Sequence, residues 1–192
     1  MRGAAVLLAA LLLAGCAAAT PPNVAQLPPG AFGGGPDPDQ TALNQAEYAF
    51  ADPSRLYGRP AEAARAAAAI DYLAGAFETA PRWAYLSPDT KDEMLNARAG
   101  VRQALGIAPD APSQRVVDAL LTAADALDAG NSTAAVAALR APGFTLPPGR
   151  TLARLSEMPY VQAANVATRE ASDAAQEVPQ PDCVQCLYAP LL

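Results

Sequence analysis

Two cysteines near the C-terminal end of the chain, Cys183 and Cys186, have a spacing that can support chemistry. They stand two residues apart in the segment PDCVQCLYAPLL. A Cys-x-x-Cys pair can be a redox centre, half of a metal site or a short structural disulfide. Redox enzymes place the pair at the N-terminus of a helix that follows a strand. Here it follows VPQPD in a tail without a βαβ pattern, which argues against a thioredoxin-like site.

Histidine is absent from the whole sequence. This excludes Ser-His-Asp and Cys-His catalysis, His-ligated zinc and haem held by histidine. A zinc site at Cys183 and Cys186 would need a second pair of ligands, which the sequence does not supply. There is also no glycine-rich phosphate loop and no serine nucleophile motif. We therefore expect no metal, no cofactor and no catalysis, and an enzyme without histidine chemistry stays an alternative.

The N-terminal segment MRGAAVLLAALLLAGC has the pattern of a secretory signal peptide. Arg2 precedes an uninterrupted apolar run over residues 4–14, and the small residue Gly15 comes before Cys16. A charged start, a short apolar segment and a small residue at the cleavage site are typical of such signals. The run is too short to cross a bilayer, which takes about 20 apolar residues.

The residues around the expected cleavage site, LAGC at positions 13–16, resemble the lipobox of bacterial lipoproteins. The resemblance implies cleavage before Cys16, attachment of diacylglycerol to its sulfur and often a third acyl chain on the new amino group. Two or more acyl chains anchor a protein stably. In that family an Asp after the cysteine favours the inner membrane, so Ala17 indicates the inner leaflet of the outer membrane in a Gram-negative host. An ordinary signal peptide with a chance cysteine is the alternative.

Lipidation of Cys16 would leave Cys183 and Cys186 as the two remaining thiols in an oxidising compartment. We therefore expect them to form a small structural disulfide in the tail. Thiol–disulfide exchange with a partner is the alternative use of this pair.

The charge balance limits the partners. The 177 residues from Cys16 onward carry 12 basic and 19 acidic side chains, a net charge of −7. Nucleic-acid binding needs clustered Lys and Arg, and Lys91 is the single lysine. An acidic chain also gains nothing from an anionic membrane surface. We expect no nucleic-acid partner and a membrane contact that runs through the lipid on Cys16.

Three residues are candidates for binding a partner protein. Trp83, the single tryptophan, and Tyr85 lie in the segment PRWAYLSP, and Trp and Tyr are enriched at interaction hot spots. Arg98 could bind a carboxylate or a phosphate with two hydrogen bonds. The alternatives are aromatic rings that cover a gap between helices and an arginine stem that lies on the core with its head in water.

Three carboxylates share one side of a predicted helix: Asp118, Asp125 and Asp128. A closely spaced pair of carboxylates can serve a glycosidase. Spacings of seven and three residues also describe an ordinary solvated helix face, which is the interpretation that we favour.

Helix signals cover the sequence from about Gln40 to Gln176. Pro60 suits the first turn of a helix. Ser87 and Pro88 have the pattern of a helix cap followed by its first residue, and Gly106 suits a left-handed terminator. Ser113 is expected to cap a further helix that ends at Gly130.

We expect an all-α fold, an irregular antiparallel bundle of six or seven helices, because no stretch alternates apolar and polar residues. Alanine on most faces lets helices approach closely. The segment 127–142 weakly resembles the second half of a tetratricopeptide repeat, but it covers one half-unit and lacks the aromatic positions. The irregular bundle is therefore favoured.

The sequence predicts four regions. Residues 1–15 are a cleaved signal peptide, 16–39 a lipidated N-terminus with a disordered linker rich in Pro and Gly, 40–176 the helical domain, and 177–192 a tail with the cysteine pair. Such a linker, if extended, would reach about 70 Å at about 3.1 Å per residue. We expect a non-catalytic lipoprotein of the cell envelope, facing the periplasm as an interaction or structural module.

Overall fold

The computed structural model describes residues 23–34 and 36–177, and over these the predicted all-α bundle is confirmed. Seven α-helices form it, with no strand in the described part of the chain: α1 Pro38–Ala51, α2 Pro60–Thr79, α3 Pro88–Leu105, α4 Ser113–Asp128, α5 Ser132–Ala138, α6 Pro148–Ser156 and α7 Gln162–Glu177. Three single-turn 3₁₀ helices accompany them: Ala31–Gly33, Pro53–Arg55 and Pro81–Trp83.

Helix α2 is the central helix of the bundle. It packs against α1, α3, α4 and α6, and nearly all of its residues from Ala63 to Phe77 are buried. Its sequence, PAEAARAAAAIDYLAGAFET, is rich in alanine, so neighbouring helices can approach it from several sides. Helix α7 closes the other side of the bundle by packing on α1 and α3.

Several helix ends follow the predicted signals. The Ser87 side chain accepts a hydrogen bond from the Thr90 backbone N–H at 3.1 Å, and α3 ends at Gly106, whose φ is 69°. The prediction that Ser113 caps α4 is wrong. Ser113 is already helical, and its side chain accepts a hydrogen bond from Arg102 instead of one from the helix.

The segment 16–39, predicted as a lipidated N-terminus with a disordered linker, includes residues 23–34, which the structure describes. These residues lie against the bundle, and Phe32 is buried in the core. Helix α1 also begins two residues before Gln40, because the Asp37 carboxylate accepts a hydrogen bond from the Gln40 N–H at 3.0 Å. The Asn23 side chain and the Gln26 backbone supply hydrogen bonds that the composition of this proline-rich segment does not reveal.

The weak tetratricopeptide resemblance of residues 127–142 does not extend into a repeat. This segment contains the end of α4, a turn at Gly130 and helix α5. Helices α3 to α6 have 18, 16, 7 and 9 residues, so no unit of constant size recurs over them.

Among the described residues, no helix combines the length and the apolar character needed to span a membrane. The predicted signal peptide, the lipidation site Cys16 and the cysteine pair Cys183 and Cys186 lie outside the described residues.

Candidate functional site

The extended segment formed by residues 23–27, which we call the strap, is bound to the start of α4. The Asn23 side-chain amide donates to the Ala111 carbonyl oxygen at 2.8 Å. Its oxygen accepts from the Ser113 backbone N–H at 2.7 Å. One side chain therefore satisfies a carbonyl before α4 and one of the free N–H groups at the beginning of that helix, where every helix leaves donors unpaired.

Further along the strap, the Gln114 side chain forms hydrogen bonds with both the backbone N–H and the backbone carbonyl of Gln26. The Gln26 N–H donates to the Gln114 side-chain oxygen at 2.7 Å, and the Gln114 amide donates to the Gln26 carbonyl at 3.1 Å. Ala25 and Leu27 pack on the hydrophobic core. Residues of the strap that form hydrogen bonds thus alternate with residues whose side chains pack on the core.

Gly75 of α2 makes room for the strap. A Cβ atom at this position would lie 2.8 Å from the Asn23 carbonyl oxygen and 2.9 Å from Val24 Cα, both closer than van der Waals contact allows. The absence of a side chain is therefore what lets the strap backbone lie directly on α2.

Arg98, predicted as a partner-binding residue, also binds the strap. Its guanidinium donates to the Asn23 carbonyl oxygen at 3.0 Å. Burial lowers the pKa of Arg98, although the carboxylate of Asp71 acts against that effect. The side chain is half-buried, and its described hydrogen bond goes to the protein's own backbone.

Beneath the strap lies a buried ion pair that the sequence analysis missed. Arg102 donates to the two carboxylate oxygens of Asp71 at 2.7 and 2.8 Å. It also donates to the carbonyls of Pro109 and Ala111 at 2.8 and 2.9 Å and to the Ser113 hydroxyl at 2.9 Å. Arg102 therefore fixes the loop whose Ala111 and Ser113 bind Asn23. The signal in the sequence was Asp71, a lone charge within the apolar run AAAAIDYLAGAF.

Trp83 belongs to the core. It is 1% exposed, its indole N–H donates to Asp39 at 3.2 Å, and its ring lies 4.8 Å from that of Phe77. Tyr72 donates a second hydrogen bond to Asp39, and burial together with this bond raises the pKa of Tyr72. Of the two interpretations of Trp83, covering the core agrees with this burial, and direct contact with a partner does not.

Tyr85 remains accessible, at 45% exposure, with its ring 6.0 Å from that of Trp83. Arg82 lies over the Trp83 ring at 4.7 Å and forms two hydrogen bonds with Asp37, one of them 2.6 Å long. The hydrogen bond from Arg82 lowers the pKa of Asp37. The structure therefore brings Trp83 and Tyr85 together but leaves Arg98 in a separate site, at the strap.

A second group of accessible aromatic residues lies where α1 ends and α7 begins. Tyr48, Tyr57 and Tyr160 are 60%, 71% and 55% exposed. The guanidinium of Arg55 stacks on the Tyr48 ring at 4.2 Å and donates to the Tyr48 carbonyl at 2.6 Å. We call these four residues the tyrosine surface.

Two hydrogen bonds bring the segments of the tyrosine surface to one end of the bundle. The Gly58 N–H, next to Tyr57, donates to the Ser156 carbonyl at 2.8 Å at the end of α6, four residues before Tyr160. Asn165 of α7 donates to the Phe50 carbonyl of α1 at 3.1 Å. Sequence reasoning did not single out Tyr48 and Tyr160, because their proximity depends on how the helices pack.

Glu93 and Glu170 form a carboxyl pair between α3 and α7. The neighbouring carboxyl group of Glu170, followed by burial, raises the pKa of Glu93. Glu93 lines a shallow cleft of about 340 Å³ together with Asn96, Gln162 and Val166. This is the acid–base pair that an enzyme hypothesis would use, but no nucleophile or cation from the described residues lines the cleft.

The three carboxylates predicted on one helix face are surface groups. Arg65 of α2 donates to Asp125 and Asp128 at 2.9 and 2.6 Å, and Gln114 donates to Asp118 at 2.9 Å. Within residues 23–34 and 36–177, no group of three or more His, Cys, Asp or Glu side chains is arranged to hold a metal ion.

No protein-family model, curated protein or solved structure matches this chain.

Proposed function

We propose that this protein is a non-catalytic lipoprotein of the cell envelope whose helical domain binds an envelope protein through the tyrosine surface. One observation carries the proposal: Tyr48, Tyr57 and Tyr160 are all more than half exposed at the same end of the bundle, beside the stacked guanidinium of Arg55. The lipid on Cys16 would hold the domain on the periplasmic side of the outer membrane.

Support for a protein partner comes from the chemistry of this surface. Tyr and Arg are enriched in interface hot spots, and tyrosine offers a large contact area while losing little conformational entropy. Isolated exposed apolar residues are ordinary on a protein surface. Three exposed tyrosines on segments that hydrogen bonds hold at one end of the bundle are a more specific pattern.

Support for the anchor comes from the sequence around Cys16, and support for the compartment comes from the signal peptide before it. The net negative charge and the lack of histidine favour neither nucleic acid nor a metal cofactor as a partner. The pair Cys183 and Cys186 remains the basis of the alternative function, thiol–disulfide exchange.

Site-specific photo-crosslinking in living cells tests the proposal. A photoreactive phenylalanine analogue at position 57 should yield an adduct with a defined envelope protein. The matched control carries the analogue at Thr122, an exposed position on α4 outside the tyrosine surface. The control should yield no such adduct.

Two further substitutions distinguish specific binding from chance proximity. Tyr48→Ala with Tyr160→Ala, added to the position-57 probe, should reduce the adduct by about tenfold, which corresponds to about 0.7 kcal/mol of contact energy for each ring. The helical circular dichroism should stay unchanged. An adduct of equal yield with and without these substitutions, or from position 122, would count against the tyrosine surface.

A further inference from the structure

The strap fixes the point at which the chain joins the folded domain. Asn23 makes three hydrogen bonds, to Ala111, Ser113 and Arg98, and Gln26 makes two to Gln114. Val24 lies directly on Gly75. The folded domain therefore includes residues at least as far back as Asn23, ahead of α1.

This attachment shortens the connection to the anchor. From Cys16 to Asn23 there are seven residue steps, which span at most about 25 Å at about 3.6 Å each. A chain attached only at Asp37, the cap of α1, would have 21 steps and a limit of about 75 Å. The strap therefore shortens the maximum distance between Cys16 and the point of attachment by about two thirds.

The attachment point also lies far from the tyrosine surface. Gly75, under the strap, and Pro60, three residues after Tyr57, are separated by about 22 Å along the axis of α2 at 1.5 Å per residue. A domain of this size has a radius of gyration of about 15 Å, so 22 Å is a large part of its diameter.

We infer that the strap is an orienting device: it keeps the strap end of the domain within about 25 Å of the membrane and presents the tyrosine surface away from it, toward a partner in the periplasm. The inference rests on the proposed lipidation of Cys16. Exposed acidic residues such as Glu78 and Asp110 lie near the strap, so the end that faces the bilayer does not adhere to anionic lipid by charge. The short covalent connection sets the orientation.

Energy transfer to the membrane surface tests this orientation. The full lipidated chain, with Cys183→Ser and Cys186→Ser, is reconstituted in vesicles of phosphatidylethanolamine and phosphatidylglycerol that contain a rhodamine-labelled headgroup. A donor dye is placed either at Asp110→Cys, next to the strap, or at Tyr57→Cys. Transfer from position 110 should exceed transfer from position 57 on the order of twofold, because position 110 lies beside the strap and position 57 lies at the other end of α2, whose residues Gly75 and Pro60 are about 22 Å apart along the helix axis.

Two variants of the same chain test whether the strap causes the difference. An insertion of about 12 Gly and Ser residues after Pro22 leaves the strap intact and lengthens the connection, and Gly75→Val displaces the strap itself. Both should bring the transfer from the two positions to near equality. The insertion keeps the test valid if Gly75→Val fails to fold.

The outcomes distinguish this inference from the proposed function. Equal transfer from positions 110 and 57 in the membrane-bound parent protein would overturn the orientation while leaving the anchor intact. A difference that survives the insertion would also overturn it. Failure of the chain to bind the vesicles would contradict the lipid anchor itself, and the inference would fall with it.

Discussion

At the level of single residues, the ion pair between Arg102 and Asp71 is the most consequential interaction in the core. Both side chains are almost completely buried, and their charges compensate each other. Breaking a buried pair by removing one partner typically costs about 3–5 kcal/mol, because the other charge is left uncompensated.

Arg102→Met should therefore lower the free energy of unfolding by about 3–5 kcal/mol, measured by urea denaturation. Arg102→Met combined with Asp71→Leu should lose less, since no isolated charge remains. Some loss should persist, because the carbonyls of Pro109 and Ala111 also lose their donor. A double variant no more stable than Arg102→Met would show that Asp71 is not the group that makes the single substitution costly.

The free energy of unfolding depends on pH through Glu93, and the direction of its pKa shift gives the sign of that dependence. The pKa of Glu93 is raised above its ordinary value of 4.5, so the folded state holds the proton more tightly than the unfolded chain does. The contribution of Glu93 to the free energy of unfolding is therefore fully present below pH 4.5 and is lost as the pH rises through the raised pKa of Glu93.

Glu93→Gln should raise the melting temperature at pH 7 by about 1–2 °C, because it removes a like-charge repulsion of about 0.5 kcal/mol. The gain should vanish at pH 4, where the raised pKa leaves Glu93 protonated and uncharged in the folded protein. Asp92→Asn, at the exposed neighbouring position, is the matched control and should show no such pH-dependent gain. An equal effect of Glu93→Gln at both pH values would contradict the coupling to Glu170.

Residue chemistry could be predicted from the sequence only in part. The core role of Trp83 was one of two interpretations that its surroundings allowed. The partner of Arg98 was not predictable, because Asn23 is 75 positions away in the chain and their contact depends on the packing of α2, α3 and α4. The pairing of Arg102 with Asp71 was not predictable for the same reason.

At the level of elements, the contact between α2 and the strap depends on a single small residue. Gly75→Ala would place a Cβ atom 2.8 Å from the Asn23 carbonyl oxygen, so either the strap or the helix must shift. Overpacking of this kind typically costs about 1–3 kcal/mol.

Gly75→Ala should therefore destabilise the protein by about 1–3 kcal/mol in urea denaturation and expose residues 23–34 to limited proteolysis. Gly149→Ala is the matched control, since Gly149 is also helical and has no neighbouring atom within 4 Å of the added Cβ. It should be neutral or slightly stabilising, because alanine favours helix over glycine. If both variants were equally stable, the close contact of the strap with α2 would be in doubt.

Helix boundaries were more predictable than the strap. The cap at Ser87 and the terminator at Gly106 act within a few residues of their own position, so the local sequence indicates them. The strap, NVAQL, has no regular period, and the proline pairs on both sides of it are typical of a linker. Its order comes from side chains of α3 and α4, which local sequence rules do not take into account.

At the level of the whole molecule, the strap and the tyrosine surface lie toward opposite ends of α2, and Cys16, the proposed site of the lipid anchor, precedes the strap in the chain. All-α class and helix number could be predicted from periodicity and caps alone. The spatial separation of strap and tyrosines could not, because it depends on the antiparallel packing of α1, α2 and α7.

Everything proposed for the cellular role depends on the lipid at Cys16, and metabolic labelling with palmitate tests it most directly. The wild-type chain and the Cys183→Ser/Cys186→Ser variant should both be labelled and recovered with membranes, since the anchor requires neither tail cysteine. Cys16→Ser should lose the label and the membrane association completely. Labelling of Cys16→Ser at the wild-type level, or an unlabelled wild-type protein in the soluble fraction, would contradict the account.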